Sequence, residues 1–252
     1  MNIIKKIINI VGNIEDVTIK QMKFVVLGYT DLLLAKSEWL EYITEVQYAQ
    51  LDNRENFLKL REIHSRSDVE KIPTWSCVQD IVFKNAIQFT FVDFQKYQGD
   101  EVLLDLNYPI VDEYVERFDA VLDLGTSEHV FNYPQALMNC HLFAKVGGII
   151  YHEVPLNWPN HGFYNLSPTI FYDFYSDNRA QLVECSGSFT DRTAVNKTVA
   201  IPALPHWKRF NLEVVNGREV LLCIQARKNG SVQSGMFVYP IQRKYRDASA
   251  WV

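Results

Sequence analysis

Long apolar runs are missing from this chain. No stretch approaches the roughly 18 residues that a membrane-spanning helix needs, so no transmembrane segment is expected. Paired cysteine motifs are missing as well: Cys77, Cys140, Cys185 and Cys223 stand far apart with no C-x-x-C. That excludes the common dithiol and zinc spacings and fits reduced, mostly buried thiols in a cytoplasmic protein. There is no excess of positive charge. With 25 Lys and Arg against 30 Asp and Glu the formal charge is −5, which lacks the global field that favours nucleic acid, so no nucleic-acid partner is expected. Glycine is sparse where dinucleotide-binding loops are rich in it. The apolar run in KFVVLGYTD ends on the single Gly28, and the absence of G-x-G-x-x-G there weakens an NAD reading.

What is present is an ordinary globular composition, 48% hydrophobic over 252 residues, enough for one large α/β domain or two small ones. MNIIKKIINIVGN places apolar residues at 3, 4, 7, 8 and 11, one face of a helix that packs on the domain, with membrane-surface or partner contact as the alternative. A short continuous apolar strand is expected at 23–27, a run that suits a parallel sheet covered on both faces, with further strands at 87–93, 101–105, 118–125 and 147–154. Helical stretches are expected around 36–48, 53–64 and 76–86 and over SPTIFYDFYSD. Another lies between Pro134, near its start, and Gly147, just past its end. A hairpin is expected where LEVV meets EVLLCIQA through Asn216-Gly217. The gap between the first two strands implies an inserted helical element, and the proline-bearing stretch at 190–210 reads as a candidate lid.

In an open α/β sheet, ligands bind beyond the carboxyl ends of the strands. Those ends here carry Gly28, Asp93, Asp105, Asp123 with Gly125, and His152 with Glu153. An acid in the position of Asp93 suits ribose hydroxyls, and Asp105 could take an adenine amino group; for both, a plain turn or capping aspartate is the competing interpretation.

In order, LGYTD, VDFQKYQGDEVLLDLN, FDAVLDLGTSEHVFNYPQAL, KVGGIIYHEVPLNW and NHGFYNLSPTIFYDFY resemble the class I S-adenosylmethionine-dependent methyltransferases. The resemblance covers residues 23–185, is most specific from 87 to 175, and is nearest to a poorly characterised bacterial methyltransferase-like group. It implies an α/β fold with a Rossmann-like, seven-stranded, mainly parallel sheet, the last strand antiparallel and helices on both faces. It further implies a single methyltransferase-like domain over 1–252, with a helical insertion at about 29–86 and the candidate lid at about 187–211. S-adenosyl-L-methionine is the cofactor it implies. Gly28 then takes the glycine turn, Asp93 with Phe94 the ribose, Asp105 with Leu106 the adenine side, and Asp123 with Gly125 the methionine end. The departure is the first loop, where the family usually shows an acid-x-Gly-x-Gly pattern and this chain keeps one glycine.

Methyl transfer needs positioning and, for many acceptors, a general base, for which histidine is the usual choice. His161 is the first candidate and His129 the second, with Glu128 either orienting a ring or neutralising the cationic product. His152, Asn157 and Tyr164 are candidate substrate contacts. The spacing of His129, His152, Glu153 and His161 matches no zinc pattern, so no metal is expected. The resulting expectation is methyl transfer to oxygen or nitrogen of a small molecule or sugar-containing intermediate. The alternative is a catalytically inactive methyltransferase-like binding or scaffold module.

Overall fold

The structure is a computed structural model, and it describes residues 3–14, 21–190, 196–201, 219–233 and 235–246. Helix α1 (Ile3–Gly12) leads into strand β1 (Met22–Leu27). Helices α2 (Lys36–Trp39), α3 (Glu45–Gln50), α4 (Phe57–Ile63) and α5 (Trp75–Ile81) fill the interval before β2 (Ile87–Asp93). The rest runs β3 (Val102–Leu103), β4 (Phe118–Leu124), α6 (Tyr133–Phe143), β5 (Ala144–Pro155), α7 (Pro168–Asp177), β6 (Ala180–Thr190), β7 (Asn196–Ala200) and β8 (Val220–Lys228). Among the described residues the strands form one sheet of eight in the order β3-β2-β1-β4-β5-β8-β6-β7. The ladders from β3 to β5 are parallel, whereas β8 runs antiparallel to both β5 and β6.

The expectation of seven strands is corrected to eight. The extra one, β7, pairs antiparallel with the end of β6 at the sheet's outer edge. Its sequence, NKTVA, has too little apolar content to announce a strand, and it falls inside the stretch taken as a lid. The remainder of that stretch, 191–195 and 202–211, lies outside the described residues, as does the Asn216-Gly217 turn; β8 itself is paired along both edges.

Side-chain alternation along the strands divides the core into two layers. Phe24, Val26, Ala120, Leu122, Ile149 and Tyr151 face the side covered by α1 and α5, where Ile4, Ile7, Ile10, Trp75 and Val78 are buried. Val25, Leu27, Val121, Ile150 and Val154 face α6 and α7, where Leu137, Phe143, Phe171 and Tyr175 are buried. The amphipathic face of α1 therefore packs on the sheet. Lys6 on that face, 7% exposed, is ion-paired with Glu153 of β5.

The stretch 36–48 is broken in two because Thr44 starts a new helix. Its side chain accepts from Gln47 N and Gln47 returns a carboxamide oxygen to Thr44 N, a capping box legible as T-x-x-Q. Helix α6 ends at Phe143, short of Gly147. The strand begins at once, and Gly147 (φ +84°) sits in a bulge where Phe118 pairs with Ala144 but Ala120 pairs with Ile149. All four cysteines are unpaired, and no helix of the described residues is long and apolar enough to cross a membrane.

At the N-terminal side of β5 the core holds a basic pair. Lys228 Nζ donates to the carbonyls of His141 and Ala144, each at 2.9 Å, and lies 3.0 Å from Glu116. The His141 ring is buried, with Nε2 2.6 Å from Asn178 O. Burial first, then the Lys228 charge, push His141 down to about 4 from 6.5. A depressed histidine stabilises the fold while neutral and loses that contribution as protons bind the unfolded chain preferentially. Stability is therefore expected to fall as pH drops from about 6.5 towards 4, by at most about 3 kcal/mol from this group. Urea unfolding at pH 7 and pH 4.5, with His141→Gln as comparison, measures it; the variant should show the shallower decline.

Candidate functional site

Strands β1 and β4 are neighbours from which the chain departs in opposite directions, so their carboxyl ends open a crevice. Gly28 ends β1 with φ +70°, a conformation that L side chains rarely adopt, and donates its N–H to Val92 O at 2.8 Å. A Cβ there would lie 2.5 Å from Thr126 Oγ1, whose hydroxyl donates to Leu27 O at 2.7 Å. One glycine thus lets two loops touch at the floor of the crevice.

The crevice holds a cleft of about 690 Å³ lined by Gly28, Asp93, Phe94, Asp105, Leu106 and Gly125, together with Tyr29, Asp31, Leu124 and His129. Asp93 caps β2, 9% exposed, and one oxygen accepts from Gln95 N at 3.3 Å. The loop beyond it is organised by Glu101, whose carboxylate accepts from the backbone N–H groups of Tyr97, Gln98 and Gly99. Burial alone would raise the Glu101 carboxyl, but these bonds outweigh it and hold it below the ordinary range. The opposite wall is the turn 105–108, where Asp105 Oδ1 accepts from both nitrogens of Asn107. Asn139, buried in α6, donates to the carbonyls of Leu106 and Tyr108 and fixes that wall to the core.

Two expected contacts are not at the cleft. Asp123 and His152 are fully buried. They lie side by side in the β4–β5 register on the face covered by α6 and α7, which is why neither lines the cleft. His152 Nδ1–H donates to Asp123 Oδ2 at 2.7 Å, and its Nε2 meets the Tyr175 hydroxyl of α7 at 2.5 Å. Asp123 also accepts from Thr126 N, Ser127 N and Ser127 Oγ. Burial by itself would raise the Asp123 carboxyl; the bonds from His152 and Ser127 outweigh it and keep it below the usual carboxylate range. These two residues fasten the turn after β4. Asn157 and Tyr164 are likewise engaged: Asn157 Oδ1 accepts from Val220 N at 2.7 Å, and the Tyr164 hydroxyl donates to Phe131 O at 2.6 Å.

The fastened turn delivers Glu128 and His129, and the loop after β5 closes over them. Gly162 packs so closely on Glu128 that a Cβ would lie 2.9 Å from Glu128 Cγ, and Phe163 N donates to Glu128 O at 3.0 Å. This approach brings His161 Nε2 to 3.5 Å from Glu128 Oε1, while His129 Nε2 lies 3.9 Å from the same oxygen. Trp158 braces the His161 ring edge-on at 4.9 Å. Glu128 is fully buried, the two rings half-exposed at 48% and 38%. Burial first, then the charges of Asp123 and Glu153, push the Glu128 carboxyl up to about 8. Burial, then the neighbouring His161, push His129 down from its ordinary value.

This cluster borders a second cleft of about 400 Å³, lined also by Lys6, Glu38, Arg66, Glu153 and Trp158. The two clefts share Thr30, Asp31, Leu33, Leu124, Gly125 and His129. An element that the sequence did not announce lies at their common rim. Asp31 is ion-paired with Arg54, whose guanidinium sits 4.9 Å over the Tyr29 ring, and His64 is 3.5 Å from Asp31. Asp31 was visible in LGYTD, but nothing local in the sequence tied Arg54 to it.

No family model matches the chain, and no curated protein matches it. Solved structures do. A chain of the complex between the Haloferax volcanii Trm112 methyltransferase activator and the putative methyltransferase is similar over 88% of this chain and 88% of its own, at 13% identity and a TM-score of 0.43. DszA carbon methyltransferase is similar over 92% of this chain and 54% of its own, at 10% identity and a TM-score of 0.42. Burkholderia thailandensis 1,6-didemethyltoxoflavin-N1-methyltransferase, solved with 1,6-didemethyltoxoflavin and S-adenosylhomocysteine, is similar over 84% of this chain and 72% of its own, at 12% identity and a TM-score of 0.33. Likenesses of this size leave cofactor and chemistry to be decided by the site itself.

Because Asp123 is a buried anchor, Asp123→Ala is expected to lower unfolding free energy by about 3 kcal/mol or more, the cost of orphaning buried partners of a charged group. Chemical denaturation without ligand measures this, and an unchanged midpoint would return Asp123 to a ligand-contacting role.

Proposed function

We propose that the chain is an S-adenosylmethionine-dependent methyltransferase acting on oxygen or nitrogen of a small, polar or sugar-containing acceptor. The observation that carries this reading is the pairing of Asp93 at the end of β2 with the left-handed Gly28 turn at the end of β1, across one cleft of about 690 Å³. The donor set fits the cofactor. A carboxylate suits vicinal ribose hydroxyls, the glycine turn lets backbone approach closely, and Val92, Leu104, Leu106 and Val130 offer apolar walls to an adenine. S-adenosylmethionine, when bound, would supply an electrophilic sulfonium methyl for displacement by an acceptor lone pair, with sulfur as the leaving group.

The residues of this chain have the remaining tasks. Gly125 and Leu124, shared by both clefts, form the passage between donor and acceptor. The Glu128–His129–His161 cluster stands where an acceptor O–H or N–H gives up its proton. Lys6, Glu38, Arg66 and Trp158 give the second cleft charged and aromatic walls suited to a hydrophilic acceptor, and the loop carrying Trp158 and His161 forms one side of it. The cytoplasmic setting drawn from the free thiols, and the kinship with a bacterial group drawn from the quoted segments, belong to this proposal.

Calorimetric titration of the full chain with S-adenosylmethionine and with S-adenosylhomocysteine tests it. Binding of roughly micromolar Kd, weakened at least tenfold in Asp93→Ala, is expected. If neither ligand binds, the methyltransferase reading fails and the inactive binding module takes its place.

A further inference from the structure

Glu128 is fully buried, yet among the described residues neither of its carboxylate oxygens accepts a hydrogen bond. A buried acid is normally bonded, protonated or paired with a cation. The cations that border its cleft are engaged elsewhere: Lys6 with Glu153, and Arg66 with Asp68 at 2.8 Å and Glu38 at 3.7 Å. What faces Glu128 instead is a pair of imidazoles. One donor atom from each of Glu128, His129 and His161 can be chosen so that all three lie within 4.8 Å of one another.

We propose that Glu128, His129 and His161 form a binding site for a divalent transition-metal ion, with the remaining coordination positions open to the acceptor cleft. Two ligands on a tetrahedral zinc, each at about 2.0–2.1 Å, stand roughly 3.3 Å apart. The Glu128–His161 and Glu128–His129 separations are 3.5 and 3.9 Å and all three donor atoms lie within 4.8 Å of one another, so closing on an ion requires the half-exposed rings to turn towards the carboxylate. Two nitrogens and one carboxylate select zinc, manganese, iron or cobalt over magnesium or calcium, which prefer all-oxygen shells. The supports of the site are those of a fixed ligand set: Asp123 holds the turn bearing Glu128 and His129 through Thr126 and Ser127, Gly162 lets the opposing loop dock, and Trp158 sets the His161 ring. The spacing of the three residues, adjacent at 128–129 and then 32 positions on, matches no zinc pattern, so only the folded chain brings them together.

The site stands on this geometry alone; its chemical use rests on the methyl-transfer reading. An acceptor hydroxyl bound to the ion has a lowered pKa. With both imidazoles and the carboxylate engaged as ligands, the metal replaces the cluster as the means of deprotonation. The proton passes to water, and the metal-held oxygen keeps the lone pair that forms the bond to the methyl carbon. The sulfur retains the electrons of the broken C–S bond, so no oxidant or reductant is involved.

The test uses the full chain after chelator treatment, titrated with Co²⁺ by visible absorption and with Zn²⁺ by calorimetry. Saturable binding of a single equivalent is expected, weakened at least tenfold in Glu128→Gln and in His161→Ala. The second variant replaces a half-exposed ring, and circular dichroism against the parent protein verifies that it folds. Absence of saturable binding, or unchanged affinity in His161→Ala, overturns the site. Titrating the same samples with S-adenosylmethionine separates the two proposals. Cofactor binding without metal binding removes the metal site and leaves the methyltransferase, whereas metal binding without cofactor binding does the reverse.

Discussion

The contact on which the site depends is the buried bond between Asp123 and His152. A carboxylate with no exposure in the middle of a sheet would be prohibitive by itself. Here it is the hub of a small network of His152, Ser127 and the N–H groups of Thr126 and Ser127, with Tyr175 closing the far edge of the imidazole. The network ties β4 to β5 and β5 to α7, and it also dictates the conformation of the turn that leaves β4. Because that turn is fastened from below, Thr126 can reach across to Leu27 and set the floor at Gly28, while Glu128 and His129 are turned towards the second cleft.

Three carboxylates meet near the ends of β4 and β5, and strand parity decides what each does. Asp123 points to the α6–α7 face and meets His152. Glu153 belongs to the α1 side of the sheet and meets Lys6. Glu128, carried on the turn between them, meets neither, and it feels both neighbours as negative charge once burial has removed its water. The partnered acids stabilise structure. The unpartnered one is the group with free bonding capacity, and it faces two imidazoles and a cleft.

The same parity explains how much could be read from the sequence. The β-rich run IQFTFVD and the helix SPTIFYDFYSD marked β2 and α7 because aromatic and β-branched content, and a Ser-Pro start, are local signals. The list of strand-end residues was also readable, and it places Gly28, Asp93, Asp105 and Gly125 around one cleft. What a list of strand ends does not carry is the side of the sheet each residue faces. Asp123 and Gly125 are separated by a single position, yet one is sealed under α6 and the other lines the cleft. His152 was misjudged for the same reason. The Asp31–Arg54 pair and the convergence of His161 on Glu128 depend on loops meeting across more than twenty residues, for which single-sequence periodicity holds no information.

Two glycines set how closely those loops meet, and they do different work. Gly28 is required by its positive φ and by Thr126 above it, so its role is to shape the floor of the first cleft. Gly162 has an ordinary backbone and is required only because Glu128 lies directly beneath it. A side chain there would lift the loop, and with it His161, away from the buried carboxylate without disturbing the sheet. The first glycine therefore controls whether a ligand fits, and the second controls whether the three polar residues converge. That separation is physically sensible for a site with two clefts, because the first cleft is built into the sheet edge while the second is completed by a loop laid over it. It follows that changes in residues 157–165 can reshape the second cleft without altering the strand ends that shape the first.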